Sequence, residues 1–199
     1  MSHKQILYNY FLQYDPGLPA HWDEIQEAFQ YVKVPAGAYL MEESQICDKL
    51  YFLKHGLFRV FKRTEEKDIS VYFIHQNRLF TAFDAFHSGS KSILFYEALE
   101  DSEVFLIKKQ TFDHLYETVP VFAKIIGRFY QERMSQLFYQ KNIYQSLSPY
   151  ERFSLLMKNN PHYFQRIPQH HLASFLGITP VSFSRIKKRY FENHNNPKK

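Results

Sequence analysis

Three rhythms of apolar and polar residues succeed one another along the chain. Residues 3–14 and 20–30 space their apolar side chains as helices do, with Ile6, Tyr10 and Leu12 in the first stretch and Trp22, Ile25 and Phe29 in the second. Pro16–Gly17 breaks the pair. From Tyr31 the rhythm shortens to runs divided by turn residues: YVKV before Pro35 and Gly37, AYLM, KLYFL before His55–Gly56, LFRVFKR, a charged turn at Glu65–Asp68, ISVYFIH and SEVFLIK. Short strands at such close intervals, with alternating faces, predict a β-barrel or jelly roll, and TEEKD predicts one hairpin in particular. From Pro120 to about Ser146 the spacing returns to the helical, with Phe122, Ile126, Phe129, Arg133, Leu137 and Tyr144 close to a 3–4 repeat. A helix of about 25 residues reaches about 38 Å. An apolar seam of that length is usually buried against a partner, often an identical helix; packing on the barrel is the alternative. Leu147–Ser148–Pro149 then reads as a hinge, with Ser148 as N-cap and Glu151 at the capping-box position of a helix ended by Asn159–Asn160–Pro161.

The last rhythm is the most informative. Gln169–Leu176 predicts a short helix with an apolar stripe of Leu172, Phe175 and Leu176, and Ala173 small enough for a second helix to cross closely. Gly177 stops it, Ile178 turns into the core, and Thr179–Pro180 restarts a helix with an N-cap hydroxyl and a proline at the first position. In the second helix Phe183, Ile186 and Tyr190 face inward. Thr179, Pro180, Val181, Ser182, Ser184, Arg185, Lys188 and Arg189 form the candidate face for DNA. Arg185 can grip a guanine edge bidentately, Val181 can meet a thymine methyl, and the neighbouring cations can meet phosphates. A helix–turn–helix with a basic second helix is the reading; a two-helix corner with a solvated charged face is the bland alternative.

Charge distribution favours the first. Residues 146–199 hold nine Lys/Arg against Glu151 and Glu192, a net +7 in a chain of net +5, so the remainder is net −2. The positive excess lies beside the candidate reading helix, as an electrostatic footprint on DNA requires. The 20 Phe and 15 Tyr are spread along the chain without a basic–aromatic alternation, which makes them core and interface filler in preference to a single-strand stacking platform. A single cysteine, Cys47, excludes an intrachain disulfide and an all-cysteine metal or iron–sulfur site. No run approaches the roughly 18 apolar residues of a membrane span, and the N-terminal apolar stretch before Asp15 and Pro16 is short for a signal peptide. The expectation is a cytoplasmic protein with a polar, frayed tail from Asn193.

An enzyme on a jelly roll would need converging histidines and a carboxylate around an open metal position. His55, His75 and His87 are scattered, and the adjacent His170 and His171 project about 100° apart on a helix. No nucleophile elbow, phosphate loop or paired-carboxylate signature is present. Neither an enzyme, a metal site nor a cofactor is expected.

The order of a short helical lead-in, a jelly roll, a long seam helix and a C-terminal helix–turn–helix resembles the bacterial CRP/FNR family of transcription regulators. The residues that carry the resemblance are Pro35 and Gly37 with Leu40, Tyr51-Phe52-Leu53 followed by Gly56 and Arg59-Val60, the segment Ala98 to Ile107, and above all Leu172-Ala173, Leu176-Gly177-Ile178-Thr179 and Ser184-Arg185-Ile186. The resemblance implies an α+β chain: N-terminal helices over 1–30, a cyclic-nucleotide-binding-like jelly-roll (double-stranded β-helix) sensor over 31–117, a dimerisation helix over 118–146, and a winged-type helix–turn–helix over 147–199. It implies a homodimer joined through Phe122, Ile126, Phe129, Arg133 and Leu137, and a palindromic double-stranded DNA operator. RNA polymerase and a small-molecule effector are further partners of that family type.

Departures from the family carry as much weight. Members that bind cyclic nucleotide hold the phosphate with a Gly-Glu pair and, after a loop, an Arg-Ser or Arg-Thr pair. Here those positions fall on Thr81-Ala82 and on Lys91-Ser92 or Ser92-Ile93, so the arginine is absent and Lys91 offers charge without a bidentate fork. Thr81, Ala82, Phe83, Lys91 and Ser92 are thus the candidate effector pocket, with its nucleotide chemistry altered or lost. The cysteine cluster of the oxygen-sensing branch is missing, and ten histidines single out none as a haem ligand. At the DNA face the family often places arginine and glutamate where Pro180 and Val181 stand, so only Arg185 keeps its match. The segment before Gln169 leaves room for a wing of a single turn or a small hairpin. A jelly-roll interaction module without specific DNA binding is the competing function.

Overall fold

The computed structural model describes residues 4–195. In chain order it has helix α1 (Gln5–Leu12), a 3-10 turn (Leu18–His21), helix α2 (Trp22–Glu27), strands β1 (Gln30–Val34), β2 (Tyr39–Met41), β3 (Lys49–His55), β4 (Leu57–Arg63), β5 (Asp68–His75) and β6 (Arg78–Phe80). Helix α3 (Phe83–Ser88), strands β7 (Phe95–Ala98) and β8 (Ser102–Lys108), and helices α4 (Lys109–Thr118), α5 (Pro120–Ser146), α6 (Pro149–Asn159), α7 (Tyr163–Arg166), α8 (Gln169–Phe175) and α9 (Pro180–Asn195) follow. The chain divides into two units: one runs to Phe61 and resumes from Phe73 to Ser135, and the other takes Lys62–Tyr72 and the residues described from Gln136 onward.

The strands make two four-stranded sheets, β1-β8-β3-β6 and β2-β7-β4-β5. Their pairings are antiparallel, with Tyr51 opposite Leu106 between β3 and β8, and Val60 opposite Tyr96 between β4 and β7. Every predicted strand is present. Aromatic rings from the two sheets meet between them: Phe80 lies 5.3 Å from Tyr51, 5.6 Å from Phe58 and 6.2 Å from Tyr96, centroid to centroid. All four are buried, which is the sandwich core that alternating strands require. The β3–β4 turn depends on Gly56. Its φ of +116° suits glycine alone, and a Cβ there would stand 2.1 Å from Ser102 Oγ and 2.9 Å from Ser102 Cα.

The hairpin predicted at TEEKD closes as a four-residue turn, in which the Thr64 and Lys67 backbones bond at 3.0 Å and the Thr64 hydroxyl bonds both ways with Lys67. The lead-in helices pack through Leu7, Phe11, Ile25 and Phe29, all buried, with Phe11 5.7 Å from Phe29 and 6.3 Å from Phe122. Four helical or strand elements carry no expectation from the sequence: β6 is three residues long, β7 is four, α3 is six, and α4 continues straight from β8 on two buried side chains, Phe112 and Leu115.

The long helix is there, but its seam divides. Phe122 and Ile126 are fully buried and Phe129 nearly so. Phe122 packs 5.5 Å from Phe112, and Phe129 5.9 Å from Phe83. These three belong to the core of the chain's own first unit. Arg133 is half-buried. The apolar exposure of α5 begins one turn later, with Met134 at 52%, Leu137 at 39% and Phe138 at 62%. The side chain of Tyr144 lies outside the described residues, as does the tail after Asn195; Asn193 to Asn195 are helical and extend α9 beyond the expected fray point.

Candidate nucleic-acid interface

In the second unit the chemistry begins with the cap of α6. The Ser148 backbone N–H donates to Glu151 Oε2 at 2.8 Å, and the Glu151 N–H donates to Ser148 Oγ at 3.4 Å, which completes the capping box. Hydrogen bonding from the Ser148 side chain and backbone to the Glu151 carboxyl holds it below its ordinary range. Behind the cap, Phe153 meets Phe164 at 5.1 Å, Phe183 at 5.4 Å and Tyr190 at 5.5 Å. Leu172, Ala173 and Leu176 of the α8 segment are fully buried beside Phe183 of α9 in the sequence of contacts that joins these helices. Between α6 and α8 the backbone makes the single turn α7, and among the described residues no strand follows Lys108.

The turn from α8 to α9 is a Schellman closure. Gly177 N–H bonds to Ser174 O and Ile178 N–H to Ala173 O, each at 3.0 Å, with Gly177 at φ +69°. A residue with a side chain at that φ is strained. Thr179 then caps α9, accepting from the Ser182 N–H at 3.1 Å. A further contact was not visible in the sequence. Ser174 Oγ donates to Asp68 O at 3.1 Å and accepts from Ser70 N–H at 3.0 Å, so α8 is clipped to the tip of the β4–β5 hairpin inside the same unit.

The side chains expected at the DNA face separate into two sets. Pro180, Val181, Ser184, Arg185, Lys188 and Arg189 are exposed, and Thr179 with them, while Ser182 is half-buried. Ser184 Oγ donates to Pro180 O at 3.1 Å, and the Thr179 and Ser182 hydroxyls bond each other at 3.0 Å. The hydroxyls of the first turn are therefore engaged within the helix. Lys188 Nζ lies 3.8 Å from Glu192 Oε1, an exposed i, i+4 pair of small energetic weight. Arg189 lies over the ring of Tyr150, 4.8 Å from its centroid, and Asn193 Nδ2 donates to the Tyr150 hydroxyl at 3.2 Å. Tyr150 thus fixes the C-terminal half of α9. Only contact across 39 positions reveals it, and no local spacing could.

The candidate effector residues come out differently. Thr81, Ala82 and Ser92 are buried. Thr81 Oγ1 donates to Lys49 O at 2.8 Å and lies 3.1 Å from Cys47 Sγ. Ser92 is consumed on every side: its N–H donates to Gln45 O, its carbonyl accepts from Ser44 N–H, and its hydroxyl bonds the Leu94 backbone at 2.9 and 3.0 Å. Phe83 packs on Phe129 and on Tyr130, at 5.9 and 5.6 Å. Lys91 is exposed on the loop whose backbone bridges to Ile46. Thr81, Ala82 and Ser92 are thus enclosed with their hydroxyls engaged, Phe83 is half-buried, and Lys91 stands at the surface.

Among the described residues no group of three or more histidine, cysteine, aspartate or glutamate side chains could hold a metal ion, and no helix is long and apolar enough to cross a membrane.

Comparison with known proteins places this geometry. Residues 31–119 match the cyclic nucleotide-binding domain family. No curated protein matches the chain in sequence. Among solved structures, a transcriptional regulator of the CRP/FNR family from Eubacterium rectale is 18% identical, with 94% of this chain and 88% of that one covered and a TM-score of 0.69. FixK2 from Bradyrhizobium japonicum is 14% identical over 84% and 86% of the two chains, with a TM-score of 0.71. The c-di-GMP-responsive global regulator CLP of Xanthomonas campestris is 12% identical over 88% and 93%, with a TM-score of 0.70. At these identities the likeness is one of fold. The chain therefore joins a segment that matches the cyclic nucleotide-binding domain family to the fold of solved CRP/FNR-type transcription regulators.

Proposed function

We propose that this protein is a sequence-specific DNA-binding transcription regulator of CRP/FNR type, working as a homodimer, in which α8, the Gly177 turn and α9 form the helix–turn–helix. The observation that carries the reading is the outer face of α9: Val181, Arg185, Lys188 and Arg189 stand exposed along one helix in the segment that holds the chain's positive excess. Arg185 reads a guanine edge, while Lys188 and Arg189 meet phosphates, Arg189 from its seat on Tyr150. The exposed turn at Met134, Leu137 and Phe138 is the dimer seam, displaced toward the C-terminal end of α5 from the positions expected. The functional division remains a barrel over 31–117, a dimerising helix over 118–146 and a DNA-binding part over 147–199.

The barrel does not bind cyclic AMP tightly. Support comes from the buried and hydrogen-bonded Thr81 and Ser92, from the missing arginine, and from the rings of Tyr51, Phe80 and Tyr96 in the sheet interior. An anionic phosphate is held best by a bidentate cation beside open hydrogen-bond donors; here the one cation is Lys91, which lacks the fork, and the Thr81 and Ser92 hydroxyls are already engaged.

Selection of sites from genomic DNA by the full-length protein, read at two salt concentrations, tests the regulator reading. A palindrome whose affinity falls steeply with salt supports it, because phosphate contacts release counterions. Weak binding without sequence preference refutes it and moves the interaction-module reading to the front. Isothermal titration with cyclic AMP tests the barrel, and low-micromolar binding would refute its lost chemistry.

A further inference from the structure

We propose that Val181 reads thymine C5-methyl groups in the operator, as a second specificity determinant one helical turn before Arg185. The inference rests on the DNA-binding reading above and adds the chemistry of a second base position to it.

Three observations converge on this residue. Val181 is 62% exposed at the start of α9, beside exposed Pro180. Core packing therefore does not account for it. Helix propensity does not account for it either, since β-branched residues lose rotamer freedom in a helix. The polar groups around it are already engaged: Ser184 bonds Pro180 O, and the Thr179 and Ser182 hydroxyls bond each other. The first turn of α9 thus turns an apolar surface outward, with no carboxylate or amide to accept from a cytosine or adenine amino group. In the major groove the apolar feature of a base edge is the thymine methyl.

Spacing fixes where it falls. Val181 and Arg185 are four residues apart and so share one face of α9, roughly 6 Å apart. With a rise of about 3.4 Å per base pair, the thymine lies within two steps of the guanine that Arg185 grips. Burying one methyl-sized group between Val181 and the base corresponds to about fourfold in affinity per half-site, and to about fifteenfold over a two-fold site.

The test uses the full-length protein on its selected operator, with each thymine replaced in turn by deoxyuridine, which lacks only the methyl. One thymine per half-site, within two steps of the guanine whose identity ceases to matter in Arg185→Ala, should lose about fourfold on replacement. Val181→Ala, a change at an exposed helical position, should bind the thymine and uracil operators alike and keep its dependence on the guanine. Putting 5-methylcytosine in place of cytosine at that position should recover affinity in the native protein and not in Val181→Ala. Equal affinity of the native protein for thymine and uracil at every position overturns the proposal, and so does uracil discrimination that survives in Val181→Ala. Loss of all sequence-selective, salt-dependent binding to any operator overturns the DNA-binding reading as well, which separates the two failures.

Discussion

The interior of the barrel and the outer face of α9 dispose their side chains in opposite ways. In the barrel, Thr81 and Ser92 are buried and their donors and acceptors close on Lys49, Gln45, Ser44 and Leu94 of the same unit. On α9 the hydroxyls also close locally, but Arg185, Lys188 and Val181 extend outward from a rigid, well-capped helix. A polar residue can hold a ligand only if folding leaves it within reach and with hydrogen-bonding capacity to spare. Folding encloses the polar groups in the barrel, whereas on the helix it leaves the long side chains of Arg185 and Lys188 at the surface.

Gly56→Ala should give the largest effect, a loss of about 3 kcal/mol in chemical denaturation, because the new Cβ meets Ser102 at a φ that disfavours it. It tests whether the barrel is the unyielding half. Arg185→Ala should come next, weakening the cognate operator by about 1–3 kcal/mol and relaxing one base pair, whereas Lys188→Ala should weaken all sequences alike and lower the salt slope by about one. If both left operator affinity untouched, the open side of the contrast would collapse. Thr81→Val should cost about 1–2 kcal/mol of stability, since Lys49 O loses its donor, with operator affinity unchanged. A cyclic-nucleotide response that vanished in this variant would instead mean that the barrel site is open.

The smallest effect belongs to the α6 cap. Ser148→Ala should remove about 1 kcal/mol, measurable by thermal melting of the full chain. Because the Glu151 carboxyl is held below its ordinary pKa of 4.5, its contribution is complete above that pH and disappears as pH falls through the lowered value. Native protein should therefore lose stability in acid by a margin that Glu151→Gln removes.

What the sequence disclosed followed from local chemistry. Gly177, Thr179–Pro180 and the Ser148–Glu151 box mark helix ends through hydrogen bonds that close within a few residues, and all appear where they were expected. The strands β6 and β7 are too short to show alternation, and α4 begins without a cap or a break from β8. The α5 seam shows a different limit. Periodicity told that Phe122, Ile126 and Phe129 face something, but not that Phe11, Phe112 and Phe83 of the same chain already fill that place. Arg189 was likewise legible as a surface cation, while its seat on Tyr150 depends on tertiary contact. The outward half of the site was readable; the neighbours that orient it were not.

The Ser174 clip has a consequence for self-association. Strand β5 is the outer strand of its sheet, and Ile69 and Val71 on it are 38% and 44% exposed. Such an edge, with its row of backbone donors and acceptors, is a template for a strand from another molecule. The hydroxyl of Ser174 occupies the Ser70 N–H and the Asp68 carbonyl together. Helix α8 thereby satisfies two backbone groups of that edge at the hairpin tip, which a strand from another molecule would otherwise use.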